Sequence, residues 1–260
     1  MSLLRVEHLS KEFGGVHAVE ELSFQVEAGT VHSIIGPNGA GKTTLFNLIT
    51  GIYQPSDGHI LFEDHRINNV PPYQLAKRGI SRTFQNLQIF FNMSALENVL
   101  VGMHLRLDRR LGRAFFGLSG RSRAELEARE EAAELMRFFG LGDYIETEGA
   151  AMPYGALKRL EIARAMASKP KMLLLDEPAA GLNPTETTGV GRLIRAIAKS
   201  GVTIVLVEHD MRLVMDISDQ ILVLDYGRKL AEGESDVVRN DPKVIEAYLG
   251  SGAIGGHHAA

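Results

Sequence analysis

The residues Gly36-Pro37-Asn38-Gly39-Ala40-Gly41-Lys42-Thr43 fit the pattern G-x-x-x-x-G-K-[ST]. In such a loop, successive backbone N–H groups curl around phosphate oxygens, and the helix that follows aims its positive end at them. Glycine lets the backbone approach closely and take positive φ. Lys42 would bridge the β- and γ-phosphates of a nucleotide. The Thr43 hydroxyl would ligate Mg²⁺, and Thr44 completes the nucleotide-binding run. A second chemical element is Leu173–Pro178, LLLDEP, an apolar strand that ends in two carboxylates. Asp176 would hold Mg²⁺ through water. Glu177 is then free to orient and polarise the water that attacks the γ-phosphate.

Three further residues have both a bland and a chemical reading. His209 is either a surface imidazole at a strand end or a γ-phosphate sensor that holds Glu177 and the water in place. Gln85 is either an edge-strand glutamine or a neutral ligand of Mg²⁺ or water. Phe13, before a Gly-Gly turn, is either core or a platform that stacks on adenine.

The elements that must position these groups are legible from periodicity. Leu4 and Val6 alternate with polar residues, as do Leu22, Phe24 and Val26, and Ile60 and Phe62 before a turn at Asp64-His65. Such alternation predicts half-buried antiparallel strands. Val31–Ile35, Met172–Leu175 and Val202–Val207 predict buried strands, and the first leads into the glycine-rich loop and a helix from Lys42 to about Thr50. Asn183-Pro184-Thr185-Glu186 supplies an N-cap, a first-position proline and a third-position glutamate for a helix running to Gly201. Gln220–Asp225 and Arg228–Ala231 flank Tyr226-Gly227 as a hairpin. Strands alternating with helices predict a mainly parallel sheet covered on both faces. Residues 90–141 differ: they read as helical, with Leu126, Ala133, Met136 and Phe139 on one stripe. The expected organisation is one domain over 1–260. Residues 1–85 and 155–249 form its α/β core with an antiparallel β subdomain, residues 86–154 an inserted helical subdomain, and 250–260 a flexible tail.

Composition narrows the classes. With 260 residues and 45 % hydrophobic content, the chain can bury a core without staples. It has no cysteine, which excludes disulfides and thiol chemistry. The net charge of −4 gives no global pull toward nucleic acid. The longest apolar runs fall far short of the ~20 residues a membrane span needs. The start, MSLLRVEHLSKEF, lacks a basic-then-apolar signal pattern. A cytoplasmic protein, able to dock on a membrane protein, is expected. The stretch Leu105–Arg123 carries six arginines against one aspartate, Asp108. It reads as a solvated face, with a positive surface toward lipid or a partner as the alternative. His257 and His258 read as part of the tail rather than a metal site.

Together the loop, Gln85, the segment at 152–158, LLLDEP, the loop at 180–184 and His209 resemble the ATP-binding cassette ATPases over Leu3–Leu249. The resemblance implies a P-loop NTPase fold with a RecA-like core, ATP and Mg²⁺ as cofactors, and Glu177, His209 and Lys42 as catalytic residues. It implies a head-to-tail dimer in which each ATP lies between one subunit's phosphate loop and the other's signature segment. SRTFQNLQIFFNMSALENVLVGMH, RLEIARAMASKPKMLLLDEPAAGLNPTET and VIEAYLG are similar to the ATPase subunits of branched-chain amino acid importers, as is the long insertion at 103–125. The implied partners are transmembrane permease subunits, a second ATPase subunit, identical or different, and indirectly a periplasmic binding protein. The implied place is the inner face of the plasma membrane. Alternatives are import of urea or amides, export of lipid or polysaccharide, and a soluble cassette ATPase without transport.

The signature departs from the family's usual Leu-Ser-Gly-Gly-Gln. Here Met152 is followed by Pro153, Tyr154, Gly155 and Ala156, so the serine hydroxyl and its N–H are gone. A hydrogen bond to a charged group contributes ~1.5–3 kcal/mol. Gly155 would keep a bare N–H at the start of a helix Leu157–Ala167. In the dimer loop Gly181-Leu182-Asn183, asparagine stands where the family often has aspartate, and it also suits an N-cap.

Overall fold

The structure is a computed structural model that describes residues 2–106 and 123–253. Most of the arginine run and of the 103–125 insertion, together with His257 and His258, lie outside the described residues. In chain order the strands are β1 (Ser2–Phe13), β2 (Val16–Glu27), β3 (Val31–Ile35), β4 (Asp57–Phe62), β5 (His65–Arg66), β6 (Ile80–Arg82), β7 (Met172–Asp176), β8 (Thr203–Val207), β9 (Gln220–Asp225) and β10 (Arg228–Gly233). The chain forms two compact units, one of Met1–Ala76 with Ile194–Ala260 and one of Lys77–Leu193.

In the first unit an antiparallel sheet runs β2-β1-β4-β5. Leu4, Val6, Leu22, Val26, Ile60 and Phe62 are buried on it, as their alternation requires. The turn after β4 is carried by Glu63 and Asp64, both at positive φ (50° and 60°), one residue earlier than the Asp64-His65 turn read from sequence. The shift arises because His65 is already paired with Phe62. In the same unit β3 lies between β8 and β9, parallel to both, and β10 returns antiparallel to β9. Every residue of β3 and β8 is buried, the condition of central parallel strands covered on both faces.

The second unit pairs β6 parallel with β7. The helix Ala95–Gly102 begins with a capping box: Ser94 Oγ accepts from the Glu97 N–H, and the Glu97 carboxylate accepts from the Ser94 N–H at 2.8 Å. Its last residue, Gly102, lies so close to the Tyr154–Met166 helix that a Cβ would collide with the Arg164 carbonyl. This packing and the β6–β7 ladder explain why the unit extends beyond residues 86–154.

Three sequence expectations shift. Leu126 is 51 % exposed, whereas Ala133, Met136 and Phe139 are buried. Glu125 and Ala128 take the inward positions at that end of helix Arg123–Phe138. The helix from Pro184 ends at Lys199 rather than Gly201. The last helix runs Pro242–Ala253, so residues 250–253 continue it instead of opening a tail.

Candidate functional site

The phosphate loop follows β3 directly. Gly39 and Gly41 take φ of 83° and 100°. Alanine at 41 would also collide with the Ala18 carbonyl, so glycine is required there twice over. Gly41 caps the helix Lys42–Ile49 without a side-chain hydrogen bond, and no acidic residue stands in the first turn. The helix N-terminus therefore keeps its positive end for an anion. Lys42 is buried, and its ammonium donates to the carbonyls of Gly36 (2.6 Å) and Pro37 (2.9 Å). Asn38, Gly39 and Thr43 are exposed, Pro37 and Thr44 half-buried, and Ala40 buried. The donor set is backbone amides, one cation and two hydroxyls, which fits a polyphosphate.

Phe13 ends β1 with 43 % of its surface exposed, so the core reading is set aside. Its ring meets Tyr53 edge to face at 5.2 Å and carries the Lys11 ammonium 4.8 Å from its centre. His209 is exposed just after β8, and its N–H is fixed by the buried Glu208 carboxylate at 2.9 Å.

In the second unit Asp176 ends β7 and is buried. Arg82 donates to its Oδ2 at 2.7 Å, and both side chains are less than a tenth exposed. The Asp176 N–H also bonds the Thr83 hydroxyl. Sequence reasoning missed Arg82 as Asp176's partner, because the pairing depends on the β6–β7 register that sets Arg82 against Leu174. Glu177 stands at φ 51°. A non-glycine residue in that region costs on the order of 1 kcal/mol or more and concentrates at functional sites. The Gln85 amide donates to the Glu177 carboxylate at 3.1 Å, so two residues singled out separately meet.

The signature segment is built into the same unit. The helix starts at Tyr154, not Leu157, because the Pro153 carbonyl accepts from both Ala156 and Leu157. Pro153 and Tyr154 are exposed, whereas Gly155 and Ala156 are buried. Gly155 is backed by Glu186, whose carboxylate a Cβ at that position would meet. The Tyr154 hydroxyl donates to the Ala180 carbonyl at 3.3 Å, and its ring is the nearest group to Gly181. Lys158, buried below, donates to the Glu177 carbonyl at 3.4 Å.

Asn183 has the capping role. Its Oδ1 accepts from the Glu186 N–H, and its own N–H bonds the Glu186 carboxylate, both at 3.0 Å. Asn183→Ala should lower unfolding stability by about 0.5–2 kcal/mol, read from the shift of the urea midpoint. An unchanged midpoint would show that water replaces the cap.

Residues 19–180 match the family described as ABC transporter. The chain belongs to that family. Residues 228–254 match a second description, branched-chain amino acid ATP-binding cassette transporter. This ABC transporter chain is 44 % identical over 249 residues to the high-affinity branched-chain amino acid transport ATP-binding protein BraF of Pseudomonas aeruginosa, covering 95 % of this chain and 98 % of BraF. It is 43 % identical to LivG of Escherichia coli, of the same description, at the same coverage. Among solved structures it is similar to an ATP-binding cassette of an ABC transporter in its ADP conformation, with a TM-score of 0.84, 34 % identity and coverage of 96 % and 99 % of the two chains. A nucleotide-free cassette gives a TM-score of 0.82 at 34 % identity, with 95 % and 99 % covered. The fold is thus the mixed α/β P-loop architecture of the ABC cassettes. No helix among the described residues is long and apolar enough to cross a membrane.

Proposed function

We propose that this chain is the ATP-hydrolysing subunit of an importer for branched-chain or other hydrophobic amino acids. The observation that carries the reading is end-to-end similarity to BraF and LivG, together with the 228–254 match. The phosphate loop Gly36–Thr43 with Thr44 binds the phosphates, and Phe13 offers its ring to the adenine. Glu177, steadied by the Gln85 amide, accepts a proton from or orients the attacking water. Lys42 and His209 stabilise negative charge that spreads over the transferred phosphoryl group.

The oxygen donors of Thr43, Asp176 and Gln85 suit Mg²⁺, which prefers one or two carboxylates plus phosphates and water over an all-protein cage. When bound, Mg²⁺ would supply positive charge against the phosphates of the nucleotide. Arg82 keeps the Asp176 carboxylate oriented by donating to its Oδ2.

The remaining features concern partners. Pro153, Tyr154, Gly155 and Ala156, with the loop Gly181-Leu182-Asn183, would serve the ATP of a second ATPase subunit. Pro153 offers neither hydroxyl nor N–H, so the contact would rest on the exposed Tyr154 and the helix N-terminus. Phe84, Phe90 and Phe91 expose 44 %, 44 % and 46 % of their surfaces. They would form the apolar seat for a permease segment at the inner face of the membrane, while Ile89 is core.

Purified alone, the chain should hydrolyse ATP slowly, and the second ATPase and permease subunits should raise its turnover. Equal rates would contradict coupling. Deleting the gene in its own organism should abolish high-affinity uptake of labelled leucine, isoleucine and valine. Undiminished uptake of all three, with loss of urea uptake, would replace the substrate class.

A further inference from the structure

Glu208 takes no part in the chemistry above, yet it adjoins the histidine assigned to the γ-phosphate. It follows Val207, the last residue of β8, and is only 4 % exposed. A carboxylate at the end of an apolar strand would be expected to turn toward water, because burying one is costly unless hydrogen bonds hold it. The Glu208 side chain instead turns back on the chain just ahead of it. Its Oε2 accepts from the His209 N–H at 2.9 Å and, more weakly, from the Asp210 N–H at 3.4 Å. Bonds to a charged acceptor belong to the stronger class of hydrogen bond.

Asp210 secures the other side of His209. It caps the helix Met211–Ile217, and its Oδ1 accepts from the Arg212 N–H at 2.9 Å and the Leu213 N–H at 3.1 Å. That helix is fixed to the core by Leu213, Val214 and Ile217, all buried. Two carboxylates, one on each side of His209, thus bind backbone N–H groups. The residue between them is exposed, and its peptide is held from the strand side by Glu208 and from the helix side by the Asp210 cap.

We infer that Glu208 is a positioning residue for His209: through the His209 amide, its buried carboxylate fixes the backbone that presents the imidazole to the γ-phosphate. What Glu208 supplies is an acceptor for that N–H. A stabiliser of spreading charge that is misplaced costs turnover and spares ground-state binding. The inference rests on the reading of His209 as a γ-phosphate contact.

The test compares full-length wild type, Glu208→Gln, Glu208→Met, His209→Ala and the Glu208→Met/His209→Ala double variant for ATP turnover and for affinity toward the fluorescent analogue mant-ATP. Glutamine and methionine both remove the charge and nearly keep the length, but only glutamine keeps an acceptor oxygen. Glu208→Met should lower turnover about ten- to a hundredfold, with mant-ATP affinity within about threefold of wild type. Glu208→Gln should keep turnover within about threefold of wild type. The double variant should lose no more turnover than His209→Ala, since Glu208 acts through that residue. In the wild type, which needs no substitution to fold, hydrogen exchange of the His209 amide should be slowed although the residue is exposed. Wild-type turnover in Glu208→Met overturns the inference, as does a loss in Glu208→Gln as deep as in the methionine variant. Losses that multiply in the double variant overturn it too, because Glu208 would then act independently of His209. So does a His209 amide that exchanges as fast as in an unfolded peptide. Undiminished turnover in His209→Ala would overturn the reading of His209 itself, and this inference with it.

Discussion

Arg82→Ala should destabilise the protein by about 3–5 kcal/mol, the cost of leaving a buried carboxylate without its cation. The pair is 2.7 Å apart, with side-chain exposures of 8 % for Arg82 and 6 % for Asp176. Both side chains are mostly shielded from solvent, which could otherwise replace the lost partner. The wild-type pair need not be strongly stabilising for the truncation to be severe, because desolvation of both ions offsets most of their attraction. What the variant measures is the cost of orphaning Asp176. Asp176 ends β7, whose five residues are all buried, so the strand has little freedom to carry the charge outward. Arg82→Lys should recover part of the loss: it restores the charge but not the planar fork. Denaturant unfolding followed by circular dichroism reads the effect. A loss below about 1 kcal/mol would mean that solvent reaches Asp176.

Glu177→Gln should reduce ATP turnover by roughly 10²–10⁴, the range for removing a positioned base, while mant-ATP affinity stays within about threefold. Glutamine keeps the length of the side chain and a carbonyl oxygen to which the Gln85 amide can still donate, so the local geometry persists. The backbone at 177 is at φ 51° and is equally costly for both residues. Only the capacity to accept a proton is lost. In kinetic terms the substitution removes an interaction made in the transition state and spares ground-state binding. Phosphate release and mant-ATP titration on the same preparation separate the two effects. Turnover close to wild type would remove Glu177 from the catalytic role.

Much of the fold was legible because its signals are local. The loop lies in eight consecutive residues, the β1 and β4 alternations in a few more, and the Asn183–Glu186 cap in four. What escaped depends on register and on distant partners. Arg82 meets Asp176 only because β6 lies parallel to β7. Glu186 reaches Gly155 from beyond the rest of its helix, a strand and a turn, so the side chain that backs this glycine was not legible. Leu126 was misplaced because a 3.6-residue stripe, read over one short helix, tolerates a slip of one residue at its end.

The strand order around β3 also governs how the protein is made. Val31 pairs with Ile204 and His32 with Gln220. On the ribosome, β3 and the loop behind it therefore emerge long before either neighbour exists. Synthesis at ~5–20 residues per second leaves that apolar strand unpaired for many seconds. Lys77–Leu193, whose two strands pair within the unit, can fold in the interval. Chains stopped before Thr203 would leave β3, buried at every residue in the finished fold, with both edges open, and these are the fragments on which chaperones and proteases should act first.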